Sequence, residues 1–207
     1  MTHIARLTVQ TADLDASRTF WSALGLDHLV DVAHTDEPST GFRGFTVSLI
    51  VAGPATALAL VDAATAAGGT VLKPATRSFW GFGGVVADPD GTIVKIASSS
   101  KKDTGPATHH IDSVVVLLGC DDVAATRQFY VDHGLTVGKS FGRKYVDFAM
   151  EGSPIALGLY GRKALAKDAG VPADGTGSHR IVIGGDAGDL TDPEGFRWHT
   201  ATVSGKA

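Results

Sequence analysis

Three aromatic rings stand among glycines in the run Phe79-Trp80-Gly81-Phe82-Gly83-Gly84. Aromatic walls suit flat or apolar ligands, and glycines let a ligand approach backbone amides. The alternative is that the rings finish a core and the glycines serve a bulge or a sharp strand bend. No helix follows the run and no Lys-Ser/Thr ends it, so it is not a dinucleotide or phosphate loop. Farther on, Arg143-Lys144-Tyr145 opens an apolar segment. Tyr145 there could face an anionic or phenolic ligand, or the triplet could simply be a solvated strand end. His109 and His110 are adjacent, and adjacent side chains of an extended chain point apart. Cys120 is the only cysteine, which excludes a disulfide within the chain and a zinc cluster of several thiolates. Asp121 and Asp122 beside it would raise its thiol pKa, which argues against a nucleophile.

These groups need a scaffold, and the composition sets its scale. The chain has 207 residues, 43% of them hydrophobic, with 18 Lys+Arg against 22 Asp+Glu. That suits one large domain or two small ones with a sizeable core, and the balance is that of a soluble globular protein. Residues 1–103 carry 8 basic and 10 acidic side chains and the remainder 10 and 12, so no basic face is implied and nucleic acid is not an expected partner. The start Met1-Thr2-His3-Ile4-Ala5-Arg6 has no basic stretch leading into an apolar one. The longest apolar run, Ala55 to Ala67, contains Asp62 and Thr65 and is too short to cross a bilayer. A cytoplasmic protein without a membrane partner is the expectation.

Internal similarity organises the chain. Asp13–Leu26 aligns with Asp122–Leu135 at an offset of 109, with Asp, Arg, Phe, Gly and Leu coinciding and an aromatic after each Phe. Ala87-Asp-Pro-Asp-Gly91 aligns with Thr191-Asp-Pro-Glu-Gly195 at an offset of 104. Between them, Gly41–Ile50 resembles Gly175–Ile183 at 134. The second half therefore gains about 25 residues after its first helix and then lacks about 30 that the first half has. Alternation predicts a strand over Ile4–Gln10, and helical spacing a helix from the cap Asp13 to Gly25. Phe45–Val51 reads as a strand, and Pro54 opens a helix that Gly68-Gly69 closes. Phe82–Val86 and Thr92–Ala97 flank a type I hairpin turn at Asp88–Gly91. In the second half, Val114–Leu118, Lys144–Phe148, Ile155–Tyr160, Ile181–Ile183 and Phe196–Thr202 read as strands. Val123–His133 and Arg162–Ala169 read as helices, and no counterpart of the 54–67 helix is found. The polar stretch Ser98–His110, with Gly105 and Pro106, reads as a linker.

Strand, helix, then several strands ending in an Asp-Pro-Asp/Glu-Gly turn, given twice, resembles the vicinal oxygen chelate superfamily. Its members include glyoxalase I, bleomycin-resistance proteins and extradiol dioxygenases. The resemblance implies an α+β fold of tandem βαβββ modules forming curved, half-open barrel sheets with flanking helices. The expected organisation is a glyoxalase-like half over 1–98, a linker over 99–110 and a second half over 111–207 that lacks one helix. In metal-dependent relatives the ligands are His, Gln or Glu on the first and last strands of each module. By that resemblance Arg6, a position near Thr46, and Lys95 fall at the expected places of the first half, and cations there cannot act as ordinary ligands. In the second half Val115 and Gly158 leave two places empty, while His179 and His199 take the other two. No cofactor is expected, with a divalent metal at His179 and His199 the alternative. Arg6 and Lys95 would point into one region and favour an anion. Trp80, Phe79, Phe82, Arg6, Lys95 and Tyr145 are the expected ligand-binding residues.

The function implied is binding of a small apolar or aromatic molecule in a cavity without a full metal site. The alternative is a metal-dependent lyase or dioxygenase using His179 and His199. The partner is a small molecule, and the modules could close within one chain or exchange strands with a second copy as a homodimer.

Overall fold

A computed structural model describes residues 2–103 and 105–201. In chain order the elements are β1 (Ile4–Thr11), α1 (Leu14–Ala23), β2 (Val30–His34), β3 (Ser39–Gly41), β4 (Phe45–Ile50), α2 (Pro54–Ala66), β5 (Thr70–Ser78), β6 (Gly81–Ala87) and β7 (Ile93–Ser98). There follow β8 (Ser113–Cys120), α3 (Val123–Asp132), β9 (Val137–Ser140), β10 (Tyr145–Phe148), β11 (Ile155–Gly161), α4 (Arg162–Ala169), β12 (Gly175–Gly177), β13 (Ile181–Gly185), β14 (Leu190–Thr191) and β15 (Arg197–Thr200). Of the expected strand 196–202, the last residue, Thr202, lies outside the described residues, as does Thr104 of the expected linker.

The repeated motifs form repeated local structure. The Asp13 carboxylate accepts from the Ala16 N–H, and Asp122 accepts from Ala124 and Ala125. Both satisfy donors that a first helical turn leaves unpaired. In the two hairpin turns a buried aspartate does the same: Asp88 Oδ1 accepts from the N–H of Asp90 and Thr92, and Asp192 Oδ1 from those of Glu194 and Phe196. Burial raises both carboxyls above the ordinary aspartate value. Asp192 also takes a bond from the buried Tyr130 hydroxyl, which itself accepts from the Trp198 indole N–H.

One open sheet of 13 strands runs β14-β15-β13-β1-β11-β8-β4-β7-β6-β5, with β2 beside β1 and the β9–β10 pair beside β11. The halves exchange their first strands. β1 pairs antiparallel with β13, Leu7 opposite Ile183, and β8 pairs antiparallel with β4, Val116 opposite Val47. Leu7 and Val116 are 109 apart, as the repeat implies, but Val47 and Ile183 are 136 apart, so the sequence offset of 134 falls two residues short. The corrected offset matches β3 to β12. These two pair with each other, Thr40 opposite Thr176, at the approximate two-fold axis relating the halves. Strand exchange thus takes place between the halves of one chain.

Helices α1, α2 and α3 cover one face of the sheet. Phe20, Trp21, Leu60 and Tyr130 pack there with Val47, Val116, Phe196 and Trp198 in one buried cluster. The α4 helix alone packs on the opposite face, where Leu165, Ala166 and Ala169 meet Phe42, Val85 and Ile93. The second half has no counterpart of α2 and β5. The sequence reading missed β5 because this edge strand carries Pro74 and two register shifts that break its alternation.

A buried ion cluster fixes the axis. Asp90, in the turn of the first half, receives two bonds from Arg180 of the second half, at 2.9 and 2.8 Å, and one from Arg43 at 2.9 Å. The three side chains are 14%, 12% and 8% exposed. Arg180 adopts φ +54, the only positive value for a non-glycine among the described residues, and Gly44, its counterpart 136 positions back, has φ +85. An arginine in this region costs about 1 kcal/mol, a strain offset by Arg180 Nη1, which reaches both Asp90 oxygens, and by Nε and Nη2, which donate to the Glu37 carbonyl oxygen.

Replacing Asp90 by Asn removes the counter-charge of two buried guanidinium groups. Stability at neutral pH is expected to fall by about 3–5 kcal/mol, measured by urea unfolding. Partial burial alone would raise the Asp90 carboxyl, but Arg180 and Arg43 outweigh it and hold it below 3.8. The stability it contributes is therefore fully present above that value and lost as pH falls through the lower folded value. Unfolding curves of the wild type should show this acid loss, and those of Asp90→Asn should lack it.

Candidate functional site

On the face carrying α4, three adjacent strands set Val115, Ser48 and Lys95 side by side. The row related by the two-fold axis is Arg6, Gly184 and His199. The exchange of first strands thus puts Arg6 in the row of His199. The expectation that Arg6 and Lys95 share one region is corrected: Arg6 pairs with Asp31 at 2.7 Å, half exposed, while Lys95 pairs with Asp168 at 2.5 Å. The middle places belong to Ser48 and Gly184, not to Thr46 and His179.

His179 and His199 have separate surroundings. His179 lies ahead of β13 and stacks on Phe196 with centroids 4.0 Å apart. Its Nδ1 is 2.5 Å from the Arg43 carbonyl oxygen and its Nε2 2.9 Å from that of Glu194. It is the counterpart of Arg43, whose guanidinium donates to the Asp90 carbonyl in the other turn. Each therefore braces the hairpin turn of its own half, and both ring nitrogens of His179 face carbonyl oxygens. His199 is 67% exposed, with Asp189 at 3.6 Å. The proposed metal pair is corrected on this ground: one imidazole is committed to the backbone and the other stands in solvent. Gly158, where a carboxylate was sought, lies against Leu117 and the Tyr145 ring.

The expected aromatic residues divide. A cavity of about 430 Å³ opens between β5, β6, β7 and the end of α4, lined by Trp80, Phe82 and Lys95 together with Lys73, Ser78 and Asp168. Trp80 is 84% exposed. Phe79 stands edge-on to it at the same hairpin tip, beneath the Lys101 ammonium, and does not line the cavity. Tyr145 packs on Tyr160 across β10 and β11, away from the cavity, and burial raises its phenol above the ordinary value. The glycines serve the strands: a Cβ at Gly81 would overlap the Ser98 carbonyl oxygen, and one at Gly83 would lie 2.5 Å from that of Ile96. Their lack of side chains lets β6 press against β7.

Asp168 and Ser48 were not singled out from the sequence. The helix carrying Asp168 is legible, but its docking beside Lys95 is a contact between residues 73 positions apart. Ser48 shows no signal beyond its place on a strand. Two other groups are set aside. Burial, followed by the Glu194 carboxylate, pushes the Cys120 thiol up to about 12, so it is inert, with a cause other than the adjacent aspartates. Gly138-Lys139-Ser140-Phe141-Gly142 has the spelling of a nucleophile elbow, but Ser140 ends β9 and strand β10 follows it.

The two histidines should separate by mutation. His179→Ala is expected to cost about 1–3 kcal/mol through the carbonyl oxygen left without its N–H donor and the stacking lost on Phe196, and His199→Ala less than about 0.5 kcal/mol. Thermal unfolding of both variants checks this, and equal effects would contradict the bracing role of His179.

No protein-family model and no curated protein matches the chain. Solved structures do. A point mutant of glyoxalase I from Zea mays superposes with a TM-score of 0.59 and 14% identity over 95% of this chain and 92% of that one. A second point mutant of the same protein gives 0.58 and 14% over 96% and 91%. A putative dioxygenase from Bacillus subtilis subsp. subtilis str. 168 gives 0.52 and 13% over 93% and 71%. Identities this low speak for the fold alone. Strand exchange between two βαβ-based halves, one open curved sheet and these superpositions agree: the chain has the glyoxalase fold, the fold of the vicinal oxygen chelate superfamily that its repeated motifs resemble.

Proposed function

We propose that the chain binds a small apolar or aromatic molecule in the cavity beside Trp80, without a metal. The observation that carries this reading is the exposed Trp80 indole lining that cavity. An aromatic face left toward water in a concave site is surface that a flat ligand covers with gain, and about 430 Å³ suits a molecule of one or two rings.

The fold is one in which metal sites occur, so the residues must be asked whether they would hold one. Lys95 offers an ammonium without a lone pair, Val115 and Gly184 offer nothing, Arg6 is a cation, and the two donors left, Ser48 and the exposed His199, stand in different rows. Among the described residues no group of three or more His, Cys, Asp and Glu side chains is arranged to hold a metal ion. This donor set does not fit a divalent ion, and no step through a metal is derived. The lyase or dioxygenase reading needed His179 and His199 together, and their separation removes its support. The helices likewise offer no membrane role: none among the described residues is long and apolar enough to cross a bilayer.

Calorimetric titration with 2-naphthol tests the reading. Saturable binding is expected, and Trp80→Ala should weaken it by about tenfold, as loss of an aromatic anchor does. No saturable binding by the wild type would overturn it.

A further inference from the structure

We propose that Lys95 is the receptor for a carboxylate carried by the ligand, and that Asp168 of α4 holds this receptor as a displaceable internal competitor. The site then takes a small aromatic carboxylate. The inference rests on the cavity reading above and adds the charge of the ligand to it.

Two observations carry it. Lys95 Nζ and Asp168 Oδ2 are 2.5 Å apart, and both residues line the cavity. Their side chains are 33% and 39% exposed, so water screens the pair, and one carboxylate can replace another without stranding a buried charge. Ser48, the strand neighbour of Lys95, is 5% exposed, and its hydroxyl has no hydrogen-bond partner. Thr46, two residues along on the same face, is 2% exposed and equally unpartnered. Neither hydroxyl is among the residues lining the cavity, so the receptor for the carboxylate is the Lys95 ammonium alone. Finally, Trp80 lines the same cavity as Lys95, so one small molecule can meet the indole with its ring and the cation with its carboxylate, while the Phe82 ring packs toward the main core on the other face of the sheet.

The neighbouring cation has another task. Lys73 Nζ donates to the carbonyl oxygens of Lys167 and Asp168 and caps the C-terminal end of α4. That cap and the buried Leu165, Ala166 and Ala169 keep the helix docked when the Asp168 side chain alone swings away.

The test compares 2-naphthoate with 2-naphthol, which share their rings and differ in charge at neutral pH, by calorimetry. Asp168→Asn is expected to tighten naphthoate binding by about tenfold while naphthol binding changes little. Lys95→Met should abolish any preference for naphthoate. Asp168→Asn leaves Lys95 in place and decides the matter should Lys95→Met fail to fold. Naphthoate and naphthol affinities that stay equal in the wild type and in Asp168→Asn would overturn the carboxylate receptor and leave the aromatic cavity standing. Binding of neither probe by either protein would overturn the cavity reading itself, and this inference with it.

Discussion

The grip of Asp90 on two arginines is the constraint around which the halves are arranged. Each first strand keeps a parallel partner in its own half, β2 for β1 and β11 for β8, and pairs on its other side with a strand of the other half, which joins the halves in one sheet. Sheet pairing alone tolerates a slip by two residues, because side chains keep their face under such a shift. The Asp90 cluster does not tolerate it. Arg43 precedes β4, Arg180 precedes β13, and both must reach one buried carboxylate. One negative charge against two positive ones leaves a net cation, which the carbonyl oxygens of Asp90 and Glu37 receive from Arg43 and Arg180 respectively. The left-handed backbone at Arg180 is the conformation that aims its guanidinium at the turn, and Gly44 shows the same bend where no side chain needs aiming.

This arrangement explains what sequence could and could not say about the site. The offsets of 109 and 104 came from motifs with strong local chemistry, namely helix caps and aspartate-led turns, and the paired strands keep both. The offset of 134 rested on apolar strand residues, which resemble one another at any even shift, and the true value is 136. The middle place of the first row is Ser48, two residues on from Thr46, and that of the second is Gly184, the counterpart of Ser48 and not the counterpart of Arg43 that His179 is. Lys95 was legible because its position was counted from a turn. Its separation from Arg6 was not, since strand exchange between halves is a long-range fact that no local pattern records.

The aromatic-glycine run divides along a similar line. Its glycines answer to the neighbouring strand: any side chain at Gly81 or Gly83 would strike the backbone of β7. Close approach between those strands carries the hairpin outward and leaves the indole of Trp80 in water. One segment therefore satisfies both readings of it, through different residues. A ring pressed into the core and a ring left exposed can be spelled the same way in sequence, since what differs is the element that does or does not cover them.

The asymmetry of the two halves, more than their likeness, shapes the cavity beside Lys95. Only the first half has α2 and β5, so its sheet extends beyond β7 through β6 and β5, whereas the second ends at the short β14. Only the second half has α4, and that helix lies across β8, β11 and β4, with its buried residues reaching Val85 and Ile93 of the first half. A cavity with a floor, an aromatic edge and a helical wall results where Lys95 stands. At the related place His199 faces solvent, with neither an extended sheet nor a helix to enclose it. The place beside Lys95 thus has a helical wall and an aromatic edge that the place beside His199 lacks.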